Sequence, residues 1–492
     1  MSTRDAATAL RRFGFGARPG DLRRIERDPR GFLLTQLQIP AAALLEHPDL
    51  EPSHAVFVAA QRAQRAAKAA KDAAKASLPA APSPALEPRG SAKSPPAPMA
   101  GPEPVAVPGS PPAPSPPAPA QKAGAIRRDA LLEEIAARVD RAIVTETPLV
   151  ERLVHFWSNH FCVSAAKGPV RGLAGGYERE AIRPHVLGRF SDMLTAVARH
   201  PAMLIYLDNQ LSTGPNSKAG RNRSRGLNEN LAREILELHT LGVGGGYSQA
   251  DVTTFAAVLT GWSVGQIDQP EAEAGRFHFA PNRHEPGPQT ILGKRYPDQG
   301  LDTGIAVLAD LARHPATARH VALKLTRHFV SETPPAALVD RLAATFSRTD
   351  GDLAALTKTL IESAEVWSEP ARKIVPPFEY VVSIVRGFGP RPKSGEIARL
   401  ASALGQPTWM VPSPKGWPEE NNAWMGPAAI RERLRIAEFL ARQMDKLADP
   451  RGLAEELLGE ALGSETKSAI ARAETREQGF ELLMMAPEFL RR

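Results

Sequence analysis

The stretch LVERLVHFWSNHF, Leu149 to Phe161, sets Leu149, Leu153, Trp157 and Phe161 four residues apart, the spacing that puts four apolar side chains on one face of an α-helix. Just before it, Leu131, Leu132, Ile135, Val139 and Ile143 mark a second amphipathic helix. The same period recurs over about 176–208, 227–241, 248–260, 301–312, 315–330, 335–347, 352–366, 376–387, 394–404, 427–446 and 465–485. Strand signals are scarce. The best is Gln289-Thr-Ile-Leu-Gly-Lys-Arg-Tyr296, which the pattern pairs with Arg276-Phe-His-Phe279 in one small hairpin. The expected fold is therefore mainly α: one large, irregular helical domain with at most a small β-hairpin.

At roughly 100–200 residues per domain, 492 residues allow two to four domains or one large helical one. Charged residues at 23% and hydrophobic ones at 42% exclude wholesale disorder and a fibrous architecture. Of 46 prolines, 16 fall between Pro79 and Pro119 among Ala, Ser and Gly, a composition that cannot pack a core and predicts a disordered Pro/Ala-rich insert. Ahead of it, residues His54 to Ser77 form an Ala-rich helix with Arg62, Arg65, Lys68, Lys71 and Lys75 three or four apart, read as an exposed helix with a basic stripe. The division expected is 1–50, N-terminal helices belonging to the main domain; 51–125, exposed helix and insert; and 126–492, the main helical domain. Residues 5–45 are too short to bury a core alone.

The net charge of +7 is weak evidence for a nucleic-acid partner, and none is expected. A single cysteine, Cys162, excludes an internal disulfide framework and a cysteine-based zinc site. The first residues carry Arg4, Asp5, Arg11 and Arg12 with no apolar run behind them, and the Arg11-Arg12 pair is followed by Phe13-Gly-Phe-Gly, so no export leader is read. No segment approaches the roughly 18 apolar residues of a membrane span. A soluble, cytoplasmic protein is the expectation.

Three polar constellations stand inside helical segments. In the first, His155 and Asn159 share a helix face, whereas His160 lies about 140° from His155 and cannot chelate one ion with it from a regular helix. Its structural reading has Trp157 and Phe161 facing the core while the histidines and Asn159 bond neighbouring helices. The second is Gly226-Leu-Asn-Glu-Asn-Leu-Ala-Arg-Glu-Ile-Leu-Glu-Leu-His-Thr-Leu-Gly242, with an apolar stripe of Leu231, Ile235 and Leu238 flanked by Asn230, Glu234 and Glu237, and with Glu229 and Arg233 spaced as an ion pair. Buried carboxylates there would need a cation, which Arg233 or a metal supplies. Ser248-Gln-Ala-Asp251 resembles a capping box. The third is His278 with His284 beside the hairpin. Glu178-Arg179-Glu180 and Arg183-Pro-His185 read either as site carboxylates or as charges favouring a helix end. The basic loop Lys218 to Arg225 suits phosphate or plain solvent. No GxSxG, HExxH, Walker or kinase signature occurs.

The segments Thr8-Ala-Leu-Arg-Arg-Phe-Gly-Phe-Gly16, Phe156-Trp-Ser-Asn-His-Phe161, Tyr177-Glu-Arg-Glu180, the Gly226–Gly242 block, and Gly416-Trp-Pro with Trp424 together resemble the bacterial family known as domain of unknown function 1800. The likeness spans most of the chain except roughly 50–125. The resemblance carries no catalytic residues, since no activity is established for the family. It implies a partner from the alkaline-phosphatase and sulfatase-like superfamily, beside which members are frequently encoded. Members often have export signals; here the family-like segment starts within ten residues of Met1, and export is expected only if the true start lies upstream.

Two functions follow as expectations. The first is an enzyme of unknown reaction with a polar site between helices, its candidate catalytic residues being His160, Arg233, Glu234, Glu237 and His239. A divalent metal there would take His160, Glu180, Glu229, Glu234, His239 and His284 as ligands. The second is a non-catalytic helical interaction or scaffold protein whose buried charges fix helix register. Trp417 and Trp424, in a loop rich in Pro, Gly and Asn, are expected to anchor that loop. Deleting residues 79–120 should leave the thermal midpoint nearly unchanged in a melting curve; a large loss of stability would show that the insert packs on the body.

Overall fold

A computed structural model describes residues 3–39, 41–76, 118–221, 226–368, 370–389, 392–444 and 448–492. The Pro/Ala-rich stretch and Arg223 to Arg225 of the basic loop lie outside the described residues. Helices dominate, 23 of them among the described residues, together with two small antiparallel strand pairs.

The Pro148–His160 helix forms where the fourfold spacing placed it, opened by Pro148 in its first turn, where a missing N–H costs nothing. Leu149, Leu153, Trp157 and Phe161 are all at most 1% exposed. Around this helix a single cluster of buried apolar side chains extends from Ala6 to Leu490. The N-terminal segment is part of it: Phe13 is fully buried, its ring 5.5 Å from that of Phe329 and 6.1 Å from that of Trp367. The basic helix, Ser53–Ala76, packs along Ala118–Val144 and buries Val56, Phe57, Ala60 and Ala67, leaving Arg62, Arg65, Lys68 and Lys71 outward.

The strand pairing differs from the sequence expectation. Phe277–Phe279 pairs with Trp262–Val264, and Gln289–Ile291 folds back on Lys294–Tyr296 through a tight turn at Leu292 and Gly293, both at positive φ. The four-residue reversal within one segment outcompetes the longer loop because closing a short turn costs less chain entropy. Several expected helices are also shorter or divided. The 176–208 run breaks at Arg183-Pro184 and again before Pro201, each proline removing a backbone donor.

Two π-helical turns interrupt the regular helices, Glu178–Ile182 and Ile235–His239. Both fall in the motifs singled out above, and such turns recur at functional positions. Ser248 and Asp251 do form a full capping box. Among the described residues no helix is long and apolar enough to cross a membrane.

Phe13→Ala should lower stability by about 3–5 kcal/mol, because the ring sits in a filled pocket shared with Phe329 and Trp367. A denaturant midpoint that hardly moves would detach the N-terminal segment from the core.

Candidate functional site: a cavity on a buried charge network

The Pro148–His160 helix carries Glu151, fully buried, and Arg152, 1% exposed, into the core. Charges so placed survive only with close partners. Arg183 clasps Glu151 with both ends of its fork, Nη2 to Oε1 at 2.7 Å and Nη1 to Oε2 at 2.9 Å, and donates to Glu178 Oε1 at 3.0 Å. Glu178 Oε2 accepts from Ser158 Oγ at 2.8 Å and Trp409 Nε1 at 3.1 Å, and lies 3.0 Å from Arg138 Nε. Burial opposes ionisation of Glu178, but Arg138 and Arg183 outweigh it and hold the carboxyl below its ordinary value.

A second branch starts from Arg152. It donates to Gly14 O at 2.9 Å, to Glu379 Oε2 at 2.8 Å and to His328 Nε2 at 3.1 Å. His328 Nδ1 is 2.7 Å from Glu419 Oε1, and Glu419 Oε2 accepts from Lys373 Nζ at 2.8 Å. Because Nε2 receives the Arg152 proton, Nδ1 is the protonated nitrogen and His328 is neutral. Burial pushes its pKa down to about 3. Arg492 adds a second guanidinium on Glu379.

Between the two branches lies a cavity of about 80 Å³, lined by Arg138, His155, Ser158, Asn159, Cys162, His328, Phe378, Glu379, Thr408, Trp409, Trp417 and Glu419, among others. His155 sits edge-on between Phe15 and Phe378, with Nε2 3.6 Å from Glu151 Oε1. Its side chain is 8% exposed, yet its buried Nε2 makes no hydrogen bond with a described residue. Burial first, then Arg138, Arg183 and Arg152, keep it neutral, well below the ordinary imidazole range. Thr408 Oγ1 is likewise buried without a partner. Cys162, pushed up to about 12 by burial, is a thiol bonded to the Pro414 carbonyl at 3.1 Å.

The mouth is held by Asn159, whose amide pairs with one peptide of the 416–418 loop: Nδ2 to Trp417 O at 3.0 Å, Trp417 N to Oδ1 at 2.7 Å. Gly416 must be glycine for this, since its φ is 83° and a Cβ would come within 2.6 Å of the Asn159 oxygens. Trp424 is buried as an anchor and donates to Pro418 O, whereas Trp417 is only half-buried and holds its loop through its backbone.

The residues singled out in the sequence occupy several places. His160 and His239 come together, with ring centroids 6.1 Å apart, and neither lines the cavity. His160 lies 3.1 Å from the His239 carbonyl and His320 lies 3.0 Å from that of Leu238, so the two imidazoles cap carbonyls at the end of the π-turn. Burial and then the Lys324 charge push His239 down to about 3 and His320 to about 4. Glu234 is half-buried nearby without a hydrogen bond to a described residue, its pKa raised by burial and then by Glu237. Arg233 bonds Glu229 at 2.9 Å and lies 3.6 Å from Glu237.

Glu180 is elsewhere. It accepts from Ser53 N and Oγ at 2.8 and 2.7 Å and lies 3.1 Å from His200 Nε2; burial opposes its ionisation, but these partners pull it down to about 2. His284 is 3.1 Å from the Thr260 carbonyl and 3.5 Å from Asp298. The six expected metal ligands do not share a centre, and among the described residues no group of three or more His, Cys, Asp or Glu side chains is placed to hold a metal ion.

Sequence reasoning passed over Arg138, Glu151, Arg152, His328, Lys373, Trp409 and Glu419. One signal was present: Arg138 falls three residues after Ile135 and beside Val139, on the apolar stripe of its helix.

Compared with known proteins, the family model described as "Protein of unknown function (DUF1800)" matches residues 8–491. None of the curated proteins matches, and none of the solved structures does.

The neutral buried histidines set the acid response. His239, His320 and His328 take up protons only near pH 3–4 when folded but near 6.5 when unfolded, so the unfolded chain binds more protons between these limits and stability rises with pH there. Urea midpoints should fall on acidification from pH 7 to pH 5, and His320→Gln, which keeps a donor for Leu238, should flatten that dependence by at most about 1.4 kcal/mol per pH unit. An unchanged slope would place protonated His320 in the folded state.

Proposed function

We propose, on the premise that the chain belongs to the DUF1800 family of proteins of unknown function, that it is an enzyme performing acid–base chemistry on a small substrate bound in this cavity, with His155 taking up and returning the proton. The observation that carries this reading is His155 itself, a neutral imidazole enclosed by protein and facing a cavity, its buried Nε2 free of hydrogen bonds to any described residue. Buried polar atoms are satisfied in the great majority of cases, so an imidazole with an unbonded buried nitrogen at the wall of a cavity is suited to a small bound molecule.

The chemistry follows from the surroundings. Glu151, 3.6 Å from Nε2, orients the ring and steadies the imidazolium once a proton arrives. Arg138, Arg152 and Arg183 make that imidazolium costly, so the proton is readily given back. Arg138 faces the cavity where a negative charge would develop on the substrate as its proton leaves. Aromatic walls at Phe378, Trp409 and Trp417 limit water and strengthen these charges.

A second reading, an interaction protein whose network only fixes register, draws on two observations. All four carboxylates of the network already have cations, and Ile430 and Leu434 stand exposed one turn apart on the Pro427–Ala441 helix. Incubating the purified chain with mixtures of small metabolites and following each component by proton NMR separates the two. The enzyme reading expects a component to be consumed by the wild type and about 10²–10⁴-fold more slowly by a folded His155→Gln variant. Consumption unaffected by that substitution, or none in any mixture, would leave the interaction reading standing.

A further inference from the structure

We infer that the ligand of this cavity carries a carboxylate, held by the two terminal nitrogens of Arg138 with the Thr408 hydroxyl beside it. The inference rests on the reading above and names its substrate class.

Three observations carry it. The first is the state of Arg138. The residue is 9% exposed, its Nε lies 3.0 Å from Glu178 Oε2 yet is a buried nitrogen without a well-formed hydrogen bond, and its two Nη donate to no described residue. Its guanidinium lies between the Phe378 and Trp409 rings, 5.3 Å from each centroid, which fixes the plane of the fork while its edge borders the cavity. A planar fork with both outer donors open is the complement of a carboxylate, whose two oxygens it can take side by side. An amide has one such oxygen and would leave a donor unmet.

The second is the count of charge. Arg138, Arg152, Arg183, Lys373 and Arg492 face Glu151, Glu178, Glu379 and Glu419, five cations to four carboxylates, and Lys324 beside Glu419 and Arg12 beside Arg492 add further positive charge. Arg141 touches its edge at 3.8 Å with its side chain 28% exposed, where solvent screens it. An uncompensated buried charge is costly, so the surplus of positive charge favours an anion, and the planar fork selects a carboxylate among anions. The third is Thr408, whose buried Oγ1 lacks a partner and borders the same cavity. A hydroxyl and a guanidinium fork together supply donors for a carboxylate. The apolar walls then receive the rest of a small organic acid.

The probes are propionate, propionamide and inorganic phosphate, titrated by calorimetry into the full chain at constant ionic strength. Propionate should bind at least tenfold more tightly than either of the others. Arg138→Lys, which keeps the charge and removes the fork, and Thr408→Val, which leaves the network untouched, should each weaken propionate at least severalfold. Should Arg138→Lys fail to fold, Thr408→Val alone reports the site. Equal binding of propionate and propionamide, tighter binding of phosphate, propionate binding indifferent to Thr408→Val, or no binding of any probe would each overturn the inference. None of these outcomes touches the His155 turnover experiment, so the acid–base reading fails or survives separately.

Discussion

The bidentate pair of Glu151 and Arg183, both fully buried, is the constraint on which the centre of this protein depends. Taking two such charges from water costs several kcal/mol each, recovered only when geometry and hydrogen bonding are complete. Arg183 approaches that condition through its two terminal nitrogens, which reach Glu151, Glu178 and the Ala43 carbonyl together. The π-turn at Glu178–Ile182 makes this possible. Five residues apart on a regular helix, Glu178 and Arg183 would point about 140° away from each other, whereas the wider turn closes an i→i+5 backbone bond and brings both side chains to one side. The local helix distortion and the buried network are thus one feature.

From that pair the network spreads to distant parts of the chain. Glu178 gathers Arg138, Ser158 and Trp409, and Arg152 gathers Gly14, Glu379 and His328. Each added cation answers a carboxylate, and together they surround a space whose own polar groups, His155, Thr408 and the Arg138 fork, are left unanswered. Side chains locked in such a network are what preorganisation requires: the frame does not shift when the open groups find a partner. The same helix serves two sides. Asn159 locks the Gly416-Trp417 peptide at the cavity mouth, while its neighbour His160, about 100° around the axis, caps the His239 carbonyl.

Much of the helical frame was legible because periodicity reports which face is buried. The 149–161 helix, the 315–330 helix and the capping box at Ser248 required no knowledge of the fold, since each is set by residues within a turn or two. The expected hairpin partner differs because Gln289–Ile291 turns back on Lys294–Tyr296 within what alternation reads as a single strand. The candidate site was legible in part. His155 and Asn159 were placed on one face, but attention went to the Glu-rich 229–239 helix, where Glu229, Arg233 and Glu237 pair among themselves on a half-exposed surface.

What the sequence by itself determined is the class of fold, the family, and the helices whose apolar spacing needs no partner to be recognised. Which charges became the centre was decided only in the tertiary structure. Arg138, Glu151, Arg152, Arg183, His328 and Glu419 are spread over nearly 300 positions, and each taken alone looks like an ordinary helix or loop charge. Burial changes their meaning, because inside the core an ion is stable only beside its counter-ion, and that neighbour is chosen by how distant segments pack and not by spacing along the chain.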